Sequence, residues 1–104
     1  MSRVAALEAL LARGQDSALI RYSLGNEYLS ASDAASAAAH LREAVTRDAD
    51  FSAAWKLLGK ACVELGEFVA ARAAYENGIA AAERKGDVQA GKEMRVVLRR
   101  LPVT

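Results

Sequence analysis

Sliding the sequence against itself by 34 residues brings Leu24-Gly25 onto Leu58-Gly59, Ala37 onto Ala71 and Ala39 onto Ala73. At the same offset Leu29 meets Val63, Leu41 meets Tyr75, Ala44 meets Gly78 and Val45 meets Ile79. These matches fall where a stacked helix pair needs either a small residue or a gap-filler. A 34-residue period belongs to a helical-hairpin unit that cannot bury its apolar face alone and must stack on its neighbours. The chain is therefore expected to be all-α, a short α-solenoid of antiparallel hairpins with about six helices.

Local signals support helices throughout. Alanine, the residue that costs least in a helix, recurs in Ala34-Ala35, Ala37-Ala38-Ala39 and Ala80-Ala81-Ala82, and the one proline is Pro102. Short polar residues mark the starts: Asp16 or Ser17, Ser32 or Asp33, Asp50, and Asp87 after Gly86. The pattern predicts helices near 3–13, 17–31, 34–47, 52–65, 68–84 and 87–100, the last closed by Leu101-Pro102. Gly25, Gly59, Ala37, Ala71, Ala44 and Gly78 are small where helix backbones should approach closely, and Trp55, Tyr28, Leu41 and Tyr75 fill the gaps.

The segment Trp55-Lys56-Leu57-Leu58-Gly59, followed by Gly66, Phe68, Ala71 and Tyr75, resembles the tetratricopeptide repeat (TPR) signature. Leu24-Gly25, Tyr28, Ala37, Leu41 and Ala44 match the same signature one period earlier. The resemblance implies one domain over 1–104: an N-terminal capping helix in 1–15, repeats at 18–51 and 52–85, and a C-terminal capping helix in 86–104. Arg21 stands at the signature tryptophan of the first repeat, Cys62 at a usual tyrosine of the second, and Ala49 and Glu83 at the closing prolines. Leu7 and Leu11 fall in phase with Leu41 and Val45, so the first helix reads as the second half of a missing repeat. The last helix stays amphipathic through Met94, Val97, Leu98 and Leu101 but loses the 34-residue phase.

A net charge of +1 argues against a dedicated nucleic-acid or membrane-surface binder. The charge is uneven: residues 1–83 carry eight basic and eleven acidic side chains, and 84–104 carry six and two. One cysteine, Cys62, and one histidine, His40, give neither an internal disulfide nor a recognisable metal set. The N-terminal apolar pattern is broken by Arg3, Glu8 and Arg13, unlike a signal peptide. A cytoplasmic protein without cofactor or metal is expected. Phosphate loops and nucleophile–base pairs are missing from the sequence, so no enzyme activity is expected.

Function then rests on surfaces. In TPR proteins the first helix of each repeat lines a concave groove. By position this implies Tyr22, Asn26 and Leu29 in the first repeat, and Lys56, Lys60 and Val63 in the second. Each set is spaced i, i+4, i+7 and so shares a helix face. The expected function is an adaptor binding a peptide or partner helix in that groove, where the amide and the two ammonium groups suit an acidic ligand. The alternatives are a self-associating unit using Val4, Leu7, Val97 and Leu101, and, more remotely, nucleic-acid binding by the stripe Lys92, Arg95, Arg99. Cys62 is expected to be buried and inert, and His40 partly exposed without a role.

Overall fold

The computed structural model describes residues 2–103. It contains α1 (Arg3–Ala12), α2 (Ala18–Ser30), α3 (Ala34–Arg47), α4 (Ser52–Glu64), α5 (Phe68–Lys85) and α6 (Val88–Arg100), and no strand among the described residues. Helices α2 and α4 start 34 residues apart, as do α3 and α5. Ser17, Asp33 and Asp87 cap α2, α3 and α6, their side chains accepting from the amides of Ile20, Ser36 and Ala90. Asp50 does not act as the expected cap. Phe51 holds the cap position of α4 without a side-chain bond, and the Asp50 carboxylate accepts from Arg84 Nε at 2.6 Å.

The two hairpin turns use one backbone solution. Ser32 N donates to Leu29 O and Asp33 N to Tyr28 O; Gly66 N donates to Val63 O and Glu67 N to Cys62 O. This pairing satisfies the last carbonyls of α2 and α4 and requires a left-handed residue after the helix. Gly66 supplies it at φ +74°, and Ser32 supplies it at φ +62° with a side chain in place.

Each helix packs on the next, and beyond consecutive neighbours the helix backbones that come close are those of α2 with α4 and α4 with α6. Those three form the inner layer; α1, α3 and α5 lie outside it. The Cα envelope of 39 × 29 × 18 Å is two helix layers thick. The core runs through Leu24, Ala37, Leu41, Ala44, Ala54, Leu58, Ala71 and Ala74 to Tyr75, Ala82 and Met94. Close approach is locked by glycine: a Cβ built on Gly59 would stand 2.6 Å from the Tyr75 ring, and one on Gly25 would collide with Leu41.

The lost phase of the last helix has a simple cause. Helix α5 is four residues longer than α3, and the connection to α6 is two residues shorter than that from α3 to α4. The net shift of two puts Met94 where Leu58 and Leu24 stand, and all three are buried. Helix α6 thus takes the place of a third inner helix. Met94 Sδ fills the space a Cβ on Gly78 would need, at 2.5 Å.

Candidate interaction groove

Helices α4 and α6 border a groove of about 610 Å³. Its walls are Lys56, Leu57, Lys60 and Val63 from α4, and Val97, Arg100 and Leu101 from α6 and the turn after it; Tyr75 lies at the base. The i, i+4, i+7 spacing of Lys56, Lys60 and Val63 produces the α4 wall. Leu101 also packs on both core clusters, and Arg72 of α5 donates to the Pro102 carbonyl, which pins the chain end that completes the α6 wall.

The three α2 residues expected on the concave face do not line this α4–α6 trough. Tyr22 packs on Phe51, ring centroids 4.8 Å apart, and Leu29 packs on the core, while Asn26 is exposed. The gap between α2 and α4 is thereby wedged with aromatic bulk. At the α4–α6 gap the matching positions are Lys56 and the cap residue Asp87, neither aromatic, and the gap stays open.

Electrostatics divide the groove's cations. Lys56 Nζ donates to Glu93 Oε1 of α6 at 2.8 Å, and that bond, seconded by Gln89, holds the Glu93 carboxyl below its ordinary 4.5. No carboxylate among the described residues pairs with Lys60 or Arg100. The basic stripe of α6 is split as well. Lys92 and Arg99 are exposed, but Arg95 folds back to Glu83 at 3.2 Å over a cleft of about 390 Å³ at the α5–α6 turn. Three cations on one face therefore act as two.

Sequence reasoning missed a second polar cluster, at the other end. Arg21 donates from Nε and one terminal nitrogen to the two oxygens of Asp16, both at 2.8 Å, and Arg47 reaches Asp16 at 2.6 Å and Glu43 at 2.6 Å. Arg21 also meets His40 Nδ1 at 3.1 Å, and His40 Nε2 faces Glu8 Oε1 of α1 at 3.3 Å, with the imidazole stacked on Tyr28. The Arg21 hydrogen bond foremost lowers the Asp16 pKa. His40 is thus a joint between α1, α2 and α3. Arg21 at the signature-tryptophan position ties down the segment before its helix, as Trp55 does by donating its indole N–H to Ala49 O at 2.8 Å. The partners were invisible because they are 19 and 31 residues apart in sequence.

Cys62 is buried, and burial pushes its thiol pKa up despite Arg42 nearby, which suits an inert core thiol.

The sequence profile described as Tetratricopeptide repeat matches residues 4–48 and 22–88. The chain belongs to the tetratricopeptide repeat family. A TPR repeat-containing protein of Pseudomonas aeruginosa is 53% identical over 95 residues, spanning 91% of this chain and 90% of the relative. A protein from Bordetella parapertussis, solved in solution, superposes with TM-score 0.81 at 43% identity, covering 96% of this chain and 87% of that one. A tetratricopeptide repeat domain protein of Salinibacter ruber gives TM-score 0.75 at 27% identity, covering 82% and 94% in its crystal structure. TPR domains are in general protein-interaction modules and non-enzymatic scaffolds. Among the described residues no helix is long and apolar enough to cross a membrane.

Proposed function

We propose that this TPR protein is an adaptor whose groove between α4 and α6 holds an acidic, partly apolar segment of a partner protein. In this reading 18–51 and 52–85 are its two repeats, and 1–15 and 86–104 its capping helices. One observation carries the proposal: an unfilled trough with Leu57, Val63, Val97 and Leu101 along it and two cations, Lys60 and Arg100, unpaired among the described residues. Apolar contact would supply residence time, and the cations would supply steering and orientation. Asn26, Tyr22 and Leu29 then contribute at most the adjoining surface.

The test is a paired capture from lysate with wild type and the double variant Lys60→Glu/Arg100→Glu as baits. Both side chains are exposed, so the variant should melt within about 0.5 kcal/mol of wild type. A partner held by wild type should be lost or bound far more weakly by the variant, through slower association that is sensitive to salt. A partner retained equally by both at low salt would refute the groove as the binding site.

A further inference from the structure

One of the groove's cations, Lys56, already has an acid of its own. Glu93 reaches across from α6 to Lys56 on α4, so the bond at 2.8 Å spans the two walls. Both ends are near half exposure, 43% and 46%. Water and solutes therefore reach the pair, and an exposed bond of this kind opens at little cost. Glu93 Oε2 also takes a bond from Gln89 one turn earlier at 3.4 Å, which keeps the carboxylate aimed at Lys56. A carboxylate arriving from outside would find Lys60 and Arg100 available and Lys56 occupied.

We infer that Glu93 holds the place of a ligand carboxylate on Lys56. An acidic segment therefore binds by displacing Glu93 from Lys56 while its apolar neighbour drops between Val63 and Val97, and Glu93 acts as a built-in competitor that tempers its affinity. The inference rests on the groove reading above and adds an internal competitor that sets its affinity. A neutral apolar segment leaves the Lys56–Glu93 bond closed and gains only the trough. An acidic one exchanges an internal ion pair for an intermolecular one, so the net electrostatic gain is small and binding is held weak and reversible.

The probe is a fluorescein-labelled peptide of alternating leucine and glutamate, read by anisotropy at low salt, with a leucine–glutamine peptide as neutral control. Glu93→Gln should tighten the acidic probe about two- to fivefold, the span of an exposed ion pair, and leave the neutral control unchanged. Displacement, as opposed to simple repulsion by Glu93, requires that this gain vanish when Lys56→Met is added. If the gain persists without Lys56, or if Glu93→Gln binds the probe no better than wild type, the inference falls. Lys60→Glu/Arg100→Glu reads the groove separately. If it weakens the probe while Glu93→Gln is silent, the groove stands and Glu93 is no competitor. If it binds as wild type does, or no protein binds the probe, groove and inference fall together.

Discussion

In the α2–α3 hairpin the inner helix spends its groove-facing side chains on packing, Tyr22 against Phe51 and Leu29 against the core. In the α4–α5 hairpin the residues at the same helical positions, Lys56 and Val63, line the groove, although Val63, like Leu29, also packs on the core. The backbones match, down to paired turn hydrogen bonds at Ser32-Asp33 and Gly66-Glu67. The difference lies in the neighbour: α2 meets a wedge led by Phe51, and α4 meets a helix whose cap residue is Asp87. A helical position thus supplies the direction of a side chain, and the next helix decides whether that side chain is free to bind anything.

The comparison depends on α6 being a true third inner helix, and its loss should have the largest effect. Met94→Ala removes a fully buried side chain that fills the space beside Gly78. It should cost about 2–5 kcal/mol in denaturant unfolding, as Leu24→Ala should in the first hairpin. A Met94→Ala cost far below that of Leu24→Ala would mean α6 is loosely attached and the groove has only one firm wall. Next, Gly59→Leu must push the Tyr75 ring off α4, and should cost about 1–3 kcal/mol by thermal melt. An unchanged melt would remove the shared register of the two hairpins. The smallest effect sharpens the likeness of the turns. Ser32 stands at φ +62°, where its counterpart Gly66 carries no strain, so Ser32→Gly should stabilise by about 0.5–1 kcal/mol. A loss of stability there would show that the two turns are not equivalent.

Much of this architecture is legible because its signals are local or periodic. Ser17, Asp33 and Asp87 announce helix starts through side chains that bond within three residues. Leu24-Gly25 and Leu58-Gly59 announce the hairpin period by recurrence. Asp50 misleads because its carboxylate has a stronger option, the Arg84 guanidinium 34 residues away, which no cap pattern reveals. The α6 register is hidden by the four added residues of α5 and the shortened connection after it. At the groove, Lys56, Lys60 and Val63 follow from the TPR resemblance, with their spacing placing them on one helix face, but Arg100, Val97 and Leu101 need the three-dimensional path of α6. Spacing also cannot show that Tyr22 is taken by Phe51, that Lys56 is taken by Glu93, or that Arg95 is taken by Glu83.

The unequal availability of the two hairpins is most directly tested by residue-resolved NMR of the isotope-labelled protein, titrated with the bound segment of a captured partner. The account predicts shift changes concentrated on Lys60, Val63, Val97 and Leu101, with Tyr22 and Leu29 nearly still. Changes centred on Tyr22 and Leu29, or on Lys92 and Arg99 along the outer face of α6, would contradict it.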